Sequence, residues 1–339
     1  MTIEDERRIR KERKQRIKAK KRKARRRGFF FLLLLLIIGS LGIKFIKHWS
    51  ESRVDISKAN EAQWYILKDL GLEKTINPRM AENLVNINRD VIHNKLEIRL
   101  LKGKNHINIA EDYAFDAKEV REYLNGDKVY KGKEKWAFLT FDDGPNQTIT
   151  PQILDILKEN EVPGTFFVVG KSITEKNKNV LMREISEGHG IALHSFYHEY
   201  KDLYPGRVAS EAQITKEAKL SQEALQEIIS SDFHTSVWRY PGGHMSWKGL
   251  DGADAALSAL DIDWIDWNTL SGDAEHKSVR PTTSSGMVDY LKNSLEKSDQ
   301  KNFAVVLMHD AENKSLTVEA LPYIIKELKE QGYSFGILK

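Results

Sequence analysis

The sequence predicts an α/β fold, a mainly parallel sheet with enough strand–helix units to close into a barrel, preceded by one apolar segment of membrane-spanning length. Three observations predict it. From Lys135 onward, short apolar runs alternate with amphipathic stretches, which is the texture of repeated β–α units. The residues able to do chemistry fall just after those apolar runs, at the strand ends where barrels of this kind gather their sites. Phe29 to Ile43 is fifteen residues without a charge, and Phe45-Ile46 extends the run past Lys44.

The N-terminal elements follow from charge and hydropathy. The net charge of +4 over 339 residues conceals a basic tail. Residues 1–27 hold fifteen Lys or Arg against Glu4, Asp5, Glu6 and Glu12, a local +11, so the remainder is net −7. A tail of this kind binds phosphates without specificity, but its place directly before an apolar run favours a membrane over a nucleic acid. Residues 28–46 are expected to be a single transmembrane helix at the short end of the usual ~17–25 residues, with Lys44 snorkelling to the interface. The basic flank places the tail in the cytoplasm and everything after Ile46 outside. The competing reading is a cleaved signal peptide, but no small-x-small site follows Gly39-Ser-Leu-Gly42. The absence of cysteine excludes thiol catalysis and cysteine-bound zinc.

Residues 47–130 carry no catalytic-looking cluster and are expected to form an extracellular juxtamembrane stalk or small helical module. Asn77-Pro78 is a cap and first-turn proline, and Asp116 to Leu124 has helical spacing. Residues 131–339 are the catalytic domain. Its strands are expected at Ala137–Phe141, Gly164–Val169, Gly190–Leu193, Ser236–Trp238, Ile262–Trp267, Phe303–Met308 and Phe335–Leu338. Its helices are expected at Thr150–Lys158, Val180–Glu187, Ala209–Ser230, Ser285–Leu295 and Val318–Gln331.

The chemistry begins with Asp142 and Asp143, two carboxylates at the end of an apolar strand. Repulsion and desolvation both oppose ionising them together, so a cation or an arginine is expected nearby. His194 and His198, four apart after a short strand, would complete with Asp143 a two-imidazole, one-carboxylate set of the catalytic-zinc type. Asp142 is then free to act as a base toward a water that a bound metal has acidified toward a pKa of about 7. Arg239, in Trp238-Arg-Tyr-Pro-Gly-Gly243, reads either as a surface arginine before a turn or as a bidentate fork that orients Asp142. Gly242 and Gly243 lack side chains, so a substrate oxygen could reach a backbone N–H there. His309 ends its strand as a candidate general acid, with Asp273 as its hydrogen-bond partner ahead of Asp310. Trp247, in a loop, is a candidate stacking residue, with Tyr240 as a further candidate substrate contact.

Together these residues resemble the polysaccharide deacetylase family, the NodB homology domains of carbohydrate esterase family 4. Five motifs match in order over roughly 60% of the chain: Thr140-Phe-Asp-Asp-Gly-Pro145, His194-Ser-Phe-Tyr-His198, Arg239-Tyr-Pro-Gly-Gly243, Asp273, and Leu307-Met-His309. The resemblance implies a distorted, incomplete (β/α) TIM-like barrel. It implies Asp142 as catalytic base, Asp143, His194 and His198 as metal ligands, and Arg239 as the group orienting the base. It further implies the Gly242 N–H as oxyanion donor, His309 as acid and Leu307 as a wall of the acetyl pocket. Two departures bear on the sugar groove: Ala274 stands where the family commonly has tryptophan, and Gly242 where it often has an aromatic. The implied activity is metal-dependent N-deacetylation of N-acetylglucosamine in a cell-surface glycan, peptidoglycan first. Another wall polymer or its linkage unit, an O-acetyl ester, and a non-catalytic glycan-binding role are the alternatives. The implied cofactor is a divalent metal, zinc before cobalt or manganese. The partners expected are a cell-wall glycan and the membrane, with no nucleic acid and no obligate protein.

Overall fold

The computed structural model describes residues 100–339. The basic tail, the expected transmembrane segment at 28–46 and the Asn77-Pro78 helix start lie outside the described residues. Among the described residues no helix is long and apolar enough to cross a membrane.

In chain order the described elements are β1 (Ala114–Phe115), α1 (Ala117–Asn125), β2 (Lys135–Asp142), α2 (Thr150–Glu159), β3 (Thr165–Val168), α3 (Lys178–Ser186) and β4 (Gly190–Leu193). There follow α4 (Tyr200–Leu203), α5 (Glu211–Ile228), β5 (Val237–Trp238), α6 (Asp251–Ser258), β6 (Asp263–Trp264) and β7 (Thr269–Leu270). The C-terminal part holds α7 (Ser284–Lys297), β8 (Phe303–His309), α8 (Ser315–Glu330), β9 (Tyr333–Phe335) and β10 (Ile337–Leu338), with short 3₁₀ turns between.

The main sheet runs β6-β5-β4-β3-β2-β8-β7, every pair parallel, with β9 also pairing to the start of β2. Its two edge strands, β6 and β7, are not paired with each other, yet only residues 265–268 join them. Five Cα steps span at most ~18 Å. Seven strands at ~4.8 Å spacing would lie farther apart than that in a flat sheet. The sheet therefore curls until its edges nearly meet, which makes an incomplete barrel. That geometry also explains why the strand expected over Ile262–Trp267 is only two residues long: the chain must leave one edge to reach the other.

Alternation fixes what fills the barrel. Phe138, Phe167, Ala192, Val237, Ile265 and Val305 form the inner cluster, while their neighbours Leu139, Phe141, Phe166, Ile191, Trp238 and Val306 pack outward beneath the helices. The inner cluster is closed at the N-terminal end of the strands by residues 114–130. There β1 pairs with β10, and Asp116 caps α1 by accepting from the Glu119 N–H. Ala117 and Val120 are buried in the same cluster. Phe115 meets Phe138 edge-on at 5.3 Å, and Tyr123 stacks on Phe303 at 4.9 Å. This plug lies within the stretch expected from sequence as a stalk or module ending at residue 130.

The last strand, expected as one run over Phe335–Leu338, is divided at Gly336. A Cβ at Gly336 would stand 2.9 Å from the Tyr113 carbonyl, so the chain passes there without a side chain. The long helix begins after Ser210, whose hydroxyl accepts from the Gln213 N–H. Elsewhere the strand and helix positions follow the sequence reading to within three residues or so at each boundary.

Candidate active site

Continuing the inner register toward the C-terminal strand ends changes its chemistry. On β2 the inward series is Phe138, Thr140, Asp142; beyond β4 it is Ala192, His194; beyond β5, Val237, Arg239; on β8, Val305, Leu307, His309. The apolar interior thus rises into a polar mouth. Asp142 and His309 are register partners on adjacent parallel strands.

Adjacent strand residues face opposite sides, so Asp142 and Asp143 share the mouth only because the chain turns at Asp143, whose φ is 84°. Ser195 and His198 likewise carry left-handed φ values of 62° and 57°. Such conformations are costly for residues with side chains and concentrate where function requires a particular placement. The His194–His198 stretch is accordingly a tight loop, with the two rings 4.9 Å apart.

The donor set suits a divalent cation. One ligand atom each from Asp143, His194 and His198 lies within 4.8 Å of the others. His194 Nδ1 lies 2.9 Å from the Arg239 carbonyl oxygen, to which it donates, and this leaves Nε2 turned toward the carboxylates. Burial, with the nearby His198 adding to it, pushes the His194 pKa down to about 3, so the ring is neutral and its Nε2 lone pair is available. His198 Nε2 stands 3.3 Å from Asp143 Oδ1.

Two further pairs flank this triad. Arg239 is fully buried, and its Nη1 donates to Asp142 Oδ1 at 2.8 Å and to Thr140 Oγ1 at 2.8 Å. Nε donates to the Ile265 carbonyl at 3.2 Å and Nη2 to the Asp266 carbonyl at 3.3 Å. The guanidinium lies 3.9 Å above the Phe167 ring. The bidentate fork expected on Asp142 is therefore a single contact, because the other nitrogens serve backbone carbonyls that would otherwise be stranded in the interior.

On the neighbouring strand, His309 Nδ1 meets Asp273 Oδ1 at 2.9 Å, and the His309 N–H donates to Asp273 Oδ2 at 2.8 Å. Thr317 and Lys314 hold Asp273 in turn, through its Oδ2 and its carbonyl. Burial works to lower the His309 pKa. The charge and hydrogen bond of Asp273, with the charges of Asp142 and Asp143, outweigh it and leave His309 above its ordinary value. Burial would raise the Asp273 carboxyl, but His309, Lys314 and Thr317 hold it below the usual range. Asp310 belongs elsewhere: its Oδ2 accepts from Thr150 Oγ1 at 2.6 Å, and a Cβ at Gly144 would collide with its carboxyl at 2.0 Å.

Asp142, Asp143, His194, His198, Asp273 and His309 line one cavity of about 240 Å³ with Gly242, Leu307, Tyr200, Trp267 and Leu270. Gly242 has φ 80°, and no acceptor among the described residues takes its N–H. Two expected substrate contacts lie elsewhere. Tyr240 is fully buried, its hydroxyl donating to Asp254 at 2.7 Å, because it follows inward Arg239 and so faces outward. Trp247 does not line the cavity; its ring is stacked on Tyr204 at 4.0 Å and its Nε1–H donates to the Pro241 carbonyl. Tyr200, 46% exposed, and Trp267 are the aromatics that the cavity does present. Tyr200 gave no sequence signal beyond following the histidine pair, and Trp267 read as the last residue of the strand expected over Ile262–Trp267.

The family profile described as "Polysaccharide deacetylase" matches residues 130–256. The Bacillus subtilis protein YheN, named for polysaccharide deacetylase, is 33% identical over 208 residues, 61% of this chain and 68% of that protein. A peptidoglycan-N-acetylglucosamine deacetylase of Bacillus cereus is 32% identical over 215 residues, 61% of this chain and 70% of that protein. Among solved structures, a Streptococcus mutans CE4 esterase is 46% identical, covering 72% of this chain and 99% of that one, with a TM-score of 0.69. The chain belongs to the polysaccharide deacetylase family and is a hydrolytic enzyme of that family.

Proposed function

We propose that this enzyme removes acetyl groups from N-acetylglucosamine residues of a cell-surface glycan, peptidoglycan first, with a divalent metal held by Asp143, His194 and His198. The observation that carries the reading is that Asp142, held from beneath by the buried Arg239, and His309, paired with Asp273, line one cavity together with the triad. A bound cation supplies Lewis acidity toward water and the acetyl carbonyl. The Asp142 carboxylate, steadied by Arg239, takes the proton of the attacking water. The Gly242 N–H donates to the carbonyl oxygen as charge develops on it, and Leu307 walls the methyl group. His309, kept protonated by Asp273, gives its proton to the departing nitrogen.

Zinc suits the two-imidazole, one-carboxylate donor set, with cobalt or manganese as alternatives. The peptidoglycan deacetylase of Bacillus cereus supports the substrate, and another wall polymer would present the same sugar. The 46% identity to a CE4 esterase favours a second reading, an O-acetyl ester cleaved at the same groups. Residues 28–46 would anchor the enzyme with its catalytic domain outside the cell. The test is acetate and free-amine release from purified peptidoglycan and from an O-acetylated glycan, before and after chelation and zinc repletion. Acetate with equal amine from peptidoglycan, lost in Asp142→Asn and His194→Ala, is expected. Acetate without amine would replace the amidase reading by the esterase one, and release that survives both substitutions would refute the mechanism.

A further inference from the structure

Glu217 lies in the middle of α5, is fully buried, and touches none of the reacting groups. Its Oε2 accepts from the Phe196 N–H at 2.8 Å and from the Tyr197 N–H at 3.0 Å. Its Oε1 accepts from Gln213 Nε2 at 2.8 Å, one turn back on the same helix. Phe196 and Tyr197 stand between His194 and His198. One carboxylate oxygen therefore gathers two of the three internal N–H groups of the loop that spaces the two imidazoles.

The remaining loop contacts fix its neighbours. The Gly170 N–H donates to the Ser195 carbonyl at 2.9 Å, the Lys171 N–H to the Phe196 carbonyl at 2.8 Å, and the His198 N–H to Ser195 Oγ at 3.1 Å. Ser195 and His198 hold left-handed backbones, a conformation that is costly for residues with side chains. Hydrogen bonds to a charged acceptor are about twice as strong as neutral ones, so a buried carboxylate is well suited to hold that strained turn closed.

We propose that Glu217 is a positioning residue for the metal triad: by binding the Phe196 and Tyr197 N–H groups it sets the placement of His198 against His194, and so the affinity of the site for its cation. The inference rests on the metal reading proposed above. Residues that orient metal ligands typically change affinity 10–100-fold when removed.

The test measures zinc affinity of the purified full chain, wild type, Glu217→Gln and Glu217→Ala, by competition with a chromophoric chelator well below every melting temperature. In Glu217→Gln the amide oxygen still accepts from the loop while the charge is lost, and affinity should fall roughly 3- to 10-fold. In Glu217→Ala it should fall roughly 10- to 100-fold, with excess zinc restoring kcat while the KM for glycan stays unchanged. If the alanine protein does not fold, the glutamine variant decides alone. Wild-type binding with variants equal to it within twofold overturns the positioning role and leaves the metal reading intact. A wild type that binds no zinc, cobalt or manganese overturns both.

Discussion

Asp273→Asn tests the acid side of the site where charge and hydrogen-bond geometry can be separated. Asp273 Oδ2 accepts two donors, the His309 N–H at 2.8 Å and Thr317 Oγ1 at 2.9 Å. The asparagine oxygen must keep that place, so its NH₂ turns toward His309 Nδ1, 2.9 Å away in the present pair. A donor facing Nδ1 forces that nitrogen to be an acceptor, which the neutral ring can be and the protonated ring cannot. The substitution thus removes an anion and disfavours the imidazolium at once.

Unit charges at that separation attract by about 6 kcal/mol at an effective dielectric of 20. Burial offsets much of this, since the side chains are only 14% and 5% exposed. Even a quarter of it, about 1.4 kcal/mol, lowers the His309 pKa by one pH unit. His309 serves while protonated, so activity fails as pH rises through its pKa; a lower pKa moves the alkaline limb of kcat/KM to lower pH. The expected loss above neutrality is at least about tenfold, with the usual ~10²–10⁴-fold worth of a general acid as its ceiling. The assay is a pH profile of acetate release with wild type and variant equally loaded with metal. An alkaline limb that coincides with that of the wild type would refute the assignment of His309 as the acid oriented by Asp273.

Arg239→Met leaves the Asp142 carboxylate, 2% exposed, without its cation. Breaking a buried pair costs about 3–5 kcal/mol, so the melting temperature should drop by at least about 6 °C in a domain of this size. Acetate release should fall with it, because the base loses the guanidinium that orients it. Glu184→Leu should do the reverse to stability. Among the described residues neither Glu184 oxygen has a hydrogen-bond partner, and burial, with the charge of Asp310 adding to it, raises its pKa well above 4.5. A carboxyl raised in the fold costs nothing below its unfolded pKa and progressively more as pH climbs toward its folded one. Each pH unit between the two is worth about 1.4 kcal/mol. The leucine variant should therefore melt higher at neutral pH and lose that advantage near pH 4, as calorimetry across the range would show.

The parts of this site legible in the sequence are those whose partners follow from strand alternation. Asp142, Arg239 and His309 each continue an inward series of apolar residues, so an apolar run ending in a polar residue announces both the strand and its direction. The same rule, applied one residue further, would have turned Tyr240 away from the cavity and onto Asp254. Other features depend on contacts between distant segments and leave no local trace. Trp247 is spoken for by Tyr204, forty-three residues earlier, in an aromatic stack that no spacing announces. Glu217 reads as one polar residue in a polar-amphipathic helix, since nothing in its own sequence reveals that the histidine loop lies over it. The single Arg239 contact to Asp142 likewise reflects two stranded carbonyls, of Ile265 and Asp266, which only the curl of the sheet brings within reach.

That curl links fold and chemistry most directly. Because four residues join the sheet edges, Ile265 and Asp266 are drawn past the β5 end that carries Arg239. The joining segment then does two things from one position. Its carbonyls hold the Arg239 guanidinium, and the Asp266 carboxylate accepts from the His244 N–H at 3.0 Å and the Met245 N–H at 3.4 Å, tethering the loop that contains Gly242. A fully closed barrel would pair these backbone groups within the sheet and free none for the site. The base and the expected oxyanion donor are thus both positioned by the gap in the sheet, so the incompleteness of the barrel is part of how the site is held.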